Sequence, residues 1–256
     1  MNDGSDRKSA VADSFDENAE GYRTSETHST GSDLERLASW CTDATRALDI
    51  ATGAGHTAGT LVDAGVPDVV AVDAAPRMVG LTVESFPGVE GVVGDAERLP
   101  FTTNAFDAVT CRIAAHHFPD PEAFLAEVAR VLRPGGVLAL EDNVAPEDDA
   151  LASFLNRLEG MRDPTHVEAY STATWHGWLA DAGFAVEATE HLVKRLAVGP
   201  WIDRIRALDD EERERVRRFL VDAPDDAVER FDVRYEDGEP HSFGSQKALI
   251  RAERVR

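Results

Sequence analysis

Short apolar runs alternate along the chain with segments in which apolar residues recur every three or four positions. The runs have the length of β-strands, and the periodic segments have the spacing of one helix face. Strands are predicted at 46–52, 68–74, 89–96, 106–114, 137–143, 186–198 and 245–254. Helices are predicted at 34–41, 56–65, 76–86, 121–132, 175–184 and 209–220, and the RPGG sequence at 133–136 is predicted to be a turn.

The alternation predicts an α/β fold, a doubly wound Rossmann-like sheet that is mostly parallel. Continuously apolar strands that are joined through helices are typical of a parallel sheet buried on both faces. Sheets of this class bind their ligands outside the carboxyl ends of the strands. The positions at which a site is expected are therefore 51–56, 73–74, 94–96, 111–117 and 141–143.

We predict that residues 1–256 form one domain. Residues 1–40, which are mostly polar with scattered aromatics, are expected to be an arm or lid, and 45–195 the core that carries the strand-end motifs. Residues 199–243 lie before the last predicted strand and are expected to cover the site. Further candidates near a ligand are His166 and Tyr170, which are equally compatible with a surface position, and Tyr22 and His28, for which a floppy arm without direct contact is the favoured alternative.

The charge of the chain limits its partners. Asp and Glu total 48 against 26 Lys and Arg, for a net charge of −22. A field of this sign repels phosphate backbones, which disfavours a nucleic-acid partner. General solubility is one explanation; we favour a halophilic origin, in which salt screens the self-repulsion. Apolar runs are too short to span a bilayer and the amino terminus lacks a signal-peptide core, so we expect a cytoplasmic protein with no membrane partner.

The two cysteines, Cys41 and Cys111, do not form a CxxC pair. This spacing excludes a disulfide framework and a cysteine-rich zinc site. Cys111 lies within an apolar run and is expected to be buried.

A glycine-rich turn follows the first strand. Gly53 and Gly55 allow a tight turn in which the backbone approaches a ligand closely, and Asp73 at the next strand end can accept hydrogen bonds from both ribose hydroxyls. These features indicate an adenosine-containing cofactor. With Ala58 in the sixth position the turn also satisfies a relaxed dinucleotide fingerprint, so NAD stays open here.

The third strand ends in GDAERLPF, residues 94–101. Asp95 can accept from the exocyclic amine of adenine, while the backbone N–H of Ala96 reaches a ring nitrogen. The alternative is that Asp95 is a helix N-cap.

Taken together, LDIATGAGHTA, VVAVDAAPRM, GDAERLPF, FDAVTCRIAAHHFPDP and EVARVLRPGGVLALED, in this order and spacing, resemble the class I S-adenosylmethionine-dependent methyltransferases. The closest resemblance is to the type 11 branch that includes the ubiquinone and menaquinone C-methyltransferases. The resemblance implies an enzyme with a seven-stranded sheet whose last strand is antiparallel, and it implies S-adenosylmethionine as cofactor. His56 departs from the pattern, because many members have a third glycine there.

The resemblance also implies site residues. Asp49 would orient the glycine loop and the methionyl ammonium, Asp73 would hold the ribose, and Asp95 with Ala96 would read the adenine edge. The other implied cofactor contacts are Ala51, Thr52, Gly53 and Gly55 at the methionine portion, Ala74 and Met78 at the adenine, and Cys111 and Arg112 at the methionyl end.

His116 and His117 follow the fourth strand, at the expected mouth of the site. Because neighbours on an extended strand point to opposite faces, the pair is not expected to chelate one metal. His117 is a candidate base or substrate-orienting group; the alternative is a hydrogen-bonded wall residue. Arg112 is a candidate for neutralising an anionic substrate, the alternative being a salt bridge with Asp142 or Glu141.

The sequence thus predicts methyl transfer from S-adenosylmethionine to a small-molecule acceptor, without a metal. An NAD-dependent oxidoreductase and a non-catalytic S-adenosylmethionine-binding protein are the alternatives. The oxidoreductase is disfavoured because this sequence has no Tyr-x-x-x-Lys pair at the end of the fourth strand. A binding protein would have the same cofactor motifs, so only a turnover assay distinguishes it from an enzyme.

Overall fold

A computed structural model of the protein describes residue 8, residues 11–16, residue 19, and residues 29–205 and 208–255. Residues 11–16 are helical. The strands within the described part of the chain are β1 (Arg46–Ile50), β2 (Asp68–Asp73), β3 (Val89–Val93), β4 (Phe106–Arg112), β5 (Leu132–Asn143), β6 (Phe184–Ala197), β7 (Arg234–Glu236) and β8 (Glu239–Arg254). The helices from residue 32 onward are α1 (Ser32–Ser39), α2 (His56–Asp63), α3 (Pro76–Ser85), α4 (Pro121–Val131), α5 (Asp149–Arg162), α6 (Thr172–Asp181), α7 (Val198–Asp203), α8 (Asp210–Val221) and α9 (Asp225–Arg230).

The strands form one mixed sheet in the order β3-β2-β1-β4-β5-β8-β6, with the short β7 paired to β8. Strands β1 to β5 pair in parallel, whereas β8 is antiparallel to both β5 and β6. The chain order reverses on either side of β1, between β2 and β4, which is where ligands of this fold class bind. The predicted α/β fold is confirmed, including the antiparallel last strand.

The central strands are buried on both faces, but the two faces differ in side-chain size. Leu48 and Ile50 of β1 pack into a cluster of large apolar residues that includes Phe124 of α4. Ala47 of β1 points to the opposite face, into another cluster that includes Leu37 of α1. Because the side chain of Ala47 is small, α1 and α2 lie close to the sheet on this face. The alternation follows from the two-residue repeat of a strand.

The predicted turn at 133–136 is wrong in part, because β5 already begins before it. Leu132 pairs with Phe106, and the next pair is Val137 with Ala108, so residues 133–136 bulge out of the ladder. Gly135 takes the positive φ of 78° that this bulge requires.

A second apolar cluster lies beyond the sheet core. Its members come from α5, α7, α8 and α9, and Phe243 of β8 joins them. The helices α5, α7 and α9 and the strand β7 were not among the predicted elements. No helix among the described residues is long and apolar enough to cross a membrane.

Candidate functional site

A cavity of about 550 Å³ opens at the carboxyl ends of the parallel strands. Its walls come from the loops after β1, β2, β3 and β4, and residue 8 and residues 11–16 contribute to its lining from the amino-terminal side. The cavity therefore lies where the reversal of strand order predicts a ligand.

The loop after β1 has a left-handed backbone at three positions. Ala51 has a φ of 52°, Gly53 of 55° and Gly55 of 86°. A Cβ on Gly53 would meet nothing within 4 Å, whereas one on Gly55 would lie 2.7 Å from Cγ2 of Thr82 in α3. Gly55 is thus needed for packing of α3, and Gly53 leaves the loop open on the cavity side.

Asp49 anchors this loop from below. Its Oδ2 accepts from Thr52 Oγ1 over 2.6 Å and its Oδ1 from Thr110 Oγ1 over 2.7 Å. Burial raises the pKa of the Asp49 carboxyl to about 6, while the two hydroxyl donors act in the opposite direction.

Asp73 joins the first two strand-end loops. Its Oδ2 accepts from the backbone N–H of Gly53 and its Oδ1 from that of Ala75, each over 2.9 Å. Each oxygen keeps a lone pair for a further donor. Burial raises the pKa of this carboxyl above its ordinary value.

Asp95 opens a tight turn rather than a helix. Its Oδ1 accepts from the backbone N–H of Glu97 over 2.9 Å, so the helix N-cap alternative is wrong. Lys8 forms ion pairs with both Asp95, at 2.8 Å, and Glu97. These contacts tie the amino-terminal segment to the cavity rim.

The structure brings most of the predicted site residues to this one cavity. The predicted residues that line it are Asp49, Ala51, Thr52, Gly53, Asp73, Ala74, Met78, Asp95, Ala96, Arg112 and His117. Gly55 and Cys111 do not: Gly55 supports α3, and Cys111 is fully buried in the sheet core. Ile113 and Ala114 take the place expected for Cys111. Tyr22 and His28 lie outside the described residues.

Arg112 forms internal salt bridges. Its guanidinium pairs with Glu141 at 2.8 Å and with Asp33 of α1, and Asp33 also pairs with Lys194 at 2.7 Å. Arg112, Asp33 and Glu141 are all buried. The internal alternative is therefore present, with Glu141 and Asp33 as partners and not Asp142, while the role of Arg112 as a substrate contact stays a prediction.

Asp142 binds His116 instead. The two histidines lie on a 3₁₀ turn over Ala115–His117, so the expectation that they point to opposite faces of a strand is wrong. Their ring centroids are 4.2 Å apart. His116 Nδ1 lies 2.5 Å from Asp142 Oδ1, and its backbone N–H donates to Oδ2.

His117 faces the cavity with a defined tautomer. Its Nδ1 lies 3.1 Å from the carbonyl oxygen of Thr165, which can only accept, so Nδ1 carries the proton. Thr165 Oγ1 donates to Asp163 over 2.6 Å, which fixes that segment. Burial, with electrostatic repulsion from His116, lowers the pKa of His117 to about 4. At neutral pH its Nε2 is therefore an unprotonated acceptor.

A second pocket of about 50 Å³ adjoins the cavity. Phe15, Ile113 and His117 line both, so the two spaces meet at these side chains. Ile113 has a φ of 53°, a strained backbone for a β-branched residue. Sequence reasoning included Ile113 only within the expected range 111–117, because a positive φ leaves no local pattern. It missed Thr165, whose contact with His117 spans 48 residues.

Among the described residues, no group of three or more His, Cys, Asp or Glu side chains is placed to hold a metal ion. His166, whose ring centroid lies 5.7 Å from that of His116, binds Asn156 through Nε2 over 2.9 Å. Tyr170 packs edge-on against Trp178. Neither residue lines the cavity.

Comparison with known proteins agrees with this geometry. Residues 48–140 match the family described as "Methyltransferase domain". YcgJ, an uncharacterised methyltransferase of Bacillus subtilis, is 37% identical over 246 residues, which cover 93% of this chain and 96% of YcgJ. A demethylmenaquinone methyltransferase of Renibacterium salmoninarum is 34% identical over 55% of this chain and 66% of its own length.

Solved structures show the same likeness over most of the chain. The crystal structure of a Bacillus halodurans protein assigned as a methyltransferase superposes with a TM-score of 0.83 at 37% identity, covering 88% of this chain and all of that one. The crystal structure of YcgJ gives the same TM-score, covering 98% of its chain. The chain therefore belongs to the class I S-adenosylmethionine-dependent methyltransferases and is an enzyme of that family.

Proposed function

We propose that the protein binds S-adenosylmethionine in the 550 Å³ cavity and transfers its methyl group to a small organic acceptor. The observation that carries this proposal is the acidity of the cavity. Among the described residues that line it, two are cationic, Lys8 and Arg112, and six are carboxylates, Asp13, Asp16, Asp49, Asp73, Asp95 and Glu97.

This donor and acceptor set fits the proposed cofactor. S-adenosylmethionine carries a sulfonium and an ammonium group, which an acidic cavity attracts, and the charge of Arg112 is already taken by Asp33 and Glu141. The same carboxylates would repel the negatively charged pyrophosphate of NAD. The acidity thus favours the methyl donor over the dinucleotide that the glycine turn left open.

Each strand-end carboxylate has a separate role in this proposal. Asp73, with a lone pair left on each oxygen, accepts from the ribose hydroxyls. Asp95 accepts from the adenine amine beside the Ala96 backbone N–H, and Asp49 faces the methionyl ammonium. Ala74 and the buried Met78 pack against the adenine.

The bound cofactor supplies an electrophilic methyl group on a sulfonium. The protein would hold the acceptor in line with that methyl group and keep water away. His117 Nε2 accepts the proton that the acceptor releases as it gains the methyl. A base whose pKa is about 4 is weak, so this transfer suits a nucleophile that becomes acidic on methylation.

Two observations support a small acceptor: the net charge of the chain, which disfavours nucleic acid, and the names of related proteins. A net charge of −22 opposes a nucleic-acid substrate. Relatives that match part of the chain are named demethylmenaquinone methyltransferases, whose acceptor is a small organic molecule.

Calorimetric titration of the protein in molar KCl with S-adenosylmethionine, S-adenosylhomocysteine and NAD tests the cofactor. We expect the first two to bind at micromolar concentration and NAD not to bind. Asp73→Asn should weaken the binding of S-adenosylmethionine roughly tenfold or more, because a charge-assisted hydrogen bond is lost. Asp68→Asn, at the other end of β2, is the matched control. Binding of NAD alone would overturn the proposal.

Turnover of the cofactor with a panel of acceptors separates an enzyme from a binding module. We expect S-adenosylhomocysteine to form with at least one acceptor. His117→Gln should lower kcat while the affinity for S-adenosylmethionine stays unchanged. An unchanged kcat in this variant would exclude His117 as the proton acceptor.

A further inference from the structure

The small pocket lies at the right place to hold part of the methyl acceptor. It shares Phe15, Ile113 and His117 with the larger cavity, so these side chains lie between the two spaces. Its volume of about 50 Å³ is that of a small functional group, since one water occupies roughly 30 Å³ of liquid. The pocket therefore fits one end group of an acceptor.

The pocket wall is cationic in a strongly acidic protein. Arg162, Arg204 and Lys247 line it against the two carboxylates Glu159 and Asp163. Lys247 is one of three lysines in the chain and is 3% exposed. Burial lowers the pKa of Lys247, and the nearby carboxylates of Glu141 and Asp142 act in the opposite direction.

Arg162 has an unmet donor in this pocket. Its Nε is buried and has no hydrogen-bond partner. Among the described side chains that line the pocket, no other buried side-chain nitrogen or oxygen lacks a partner. The terminal Nη2 lies 3.5 Å from Glu159 and 3.4 Å from Asp163, which are long contacts. The guanidinium carbon sits 4.8 Å from the Trp201 ring centroid, which fixes its plane.

Lys247 has spare donors as well. Among the described residues its Nζ donates one hydrogen bond, to Asn143 Oδ1 over 2.7 Å, and an ammonium has three N–H groups. Asp163 accepts from the backbone N–H and Oγ1 of Thr165, whereas Glu159 has the long contact of 3.5 Å with Arg162. Within the described part of the chain, the donors left without an acceptor are Arg162 Nε and two N–H groups of the Lys247 ammonium.

We propose that the small pocket binds a carboxylate group of the methyl acceptor, with Arg162 Nε and Lys247 Nζ donating to its oxygens. The rest of the acceptor extends past His117, so that its nucleophilic atom faces the cofactor cavity. This inference rests on the proposed function, because it names the substrate class of the same site. The substrates are carboxylic acids with a nucleophilic N, O, S or C atom.

Saturation-transfer NMR with simple carboxylates tests the pocket directly. Acetate and benzoate are titrated against the full protein, with and without S-adenosylhomocysteine, and acetamide and benzamide serve as neutral probes of the same shape. We expect saturation transfer to at least one carboxylate and none to its amide. Absence of transfer to both carboxylates, or equal transfer to an amide, would overturn the inference.

Variants assign any binding to the pocket. Lys247→Met and Arg162→Met should each raise the dissociation constant of the carboxylate roughly tenfold or more, as expected for a lost charge-assisted hydrogen bond. Arg218→Met removes one positive charge from an exposed position of α8 and should leave it unchanged. If both pocket variants bind as the wild type does, or Arg218→Met weakens binding equally, the inference fails.

The outcomes separate this inference from the proposed function. The amide comparison needs only the wild-type protein, so it stands even if a variant does not fold. Carboxylate binding without binding of S-adenosylhomocysteine would leave the pocket assigned and contradict the proposed function. Binding of S-adenosylhomocysteine without binding of a carboxylate would support the proposed function and contradict the assignment of the small pocket.

Discussion

His117 illustrates how neighbours set the chemistry of a single residue. The Thr165 carbonyl holds the proton on Nδ1, and burial keeps the ring neutral by lowering its pKa to about 4. The same environment that frees Nε2 to accept a proton makes protonation of the ring unfavourable for the fold. Function and stability at this position are therefore linked through pH.

We expect a pH-dependent stability that His117→Gln reduces. Between the ordinary histidine pKa of 6.5 and the folded value of about 4, the unfolded chain binds a proton that folded His117 does not. The free energy of unfolding thus falls as pH is lowered through this window, by about 2 kcal/mol from pH 7 to pH 5. Denaturant titrations at pH 7 and pH 5 should show that the free energy of unfolding falls less in His117→Gln than in the wild type.

The substitution also removes one cause of the lowered pKa of the neighbouring His166, so the smaller loss in the variant includes a contribution from that ring. Asp49, whose pKa is raised to about 6, stabilises the fold as pH falls through that value, but it is present in both proteins. His191→Gln, on an exposed position of β6, is the control. Equal losses in the wild type and in His117→Gln would contradict the assigned environment.

At the residue scale, the sequence predicted positions better than contacts. Strand-end residues such as Asp49, Asp73 and Asp95 could be placed because parallel strands end at the same sheet edge. The partners of Arg112 could not, because Asp33 is 79 residues away and lies in α1, whose packing no local pattern records.

Among the elements, the packing of α3 against the loop that precedes α2 depends on a glycine. Gly55 has a φ of 86°, and a Cβ there would lie 2.7 Å from Thr82. Gly55→Ala should lower the free energy of unfolding by about 2 kcal/mol or more, from backbone strain and overpacking.

Gly80→Ala is a matched control in α3 itself. A Cβ at Gly80 meets nothing within 4 Å, and alanine is favoured over glycine inside a helix by roughly 0.5–1 kcal/mol. We expect urea denaturation to show a small gain for Gly80→Ala. Equal stability of the two alanine variants would show that α3 does not constrain Gly55.

The salt-bridge network of Asp33, Arg112, Glu141 and Lys194 connects α1, β4, β5 and β6. Arg112→Met leaves Glu141 buried without this cation and should destabilise the fold by about 3–5 kcal/mol. Arg112→Met combined with Glu141→Met should recover part of that loss, measured by chemical denaturation. A stable single variant would show that Arg112 has no such structural role.

The sequence predicted the elements of the parallel half and fewer beyond it. The strands β1 to β4 are short and mostly apolar, whereas α5 carries Glu159 and Arg162 on its buried face. These charges interrupt the apolar period that identifies a helix. The interruption occurs where the small pocket is built, so a departure from local pattern coincides with a proposed binding surface.

For the molecule as a whole, the charge of −22 is the basis for expecting that stability depends on salt. Screening weakens the repulsion among surface carboxylates far more than it weakens buried pairs such as Arg112 with Glu141. We predict that the protein loses its fold below molar KCl. Thermal unfolding at graded KCl checks this, with sucrose at equal osmolality as the control that lacks screening ions. Full stability in dilute buffer would contradict the prediction.

The position of β8 between β5 and β6 has a consequence for the newborn chain. Of the strands that the structure describes, β8 leaves the ribosome last, yet it fills an interior place in the sheet. Until it emerges, β6 has no neighbour in the sheet, and Lys247 has not joined the small pocket. The parallel strands β1 to β5 can thus pair during translation, whereas β6 must wait for the insertion of β8 before it joins the sheet.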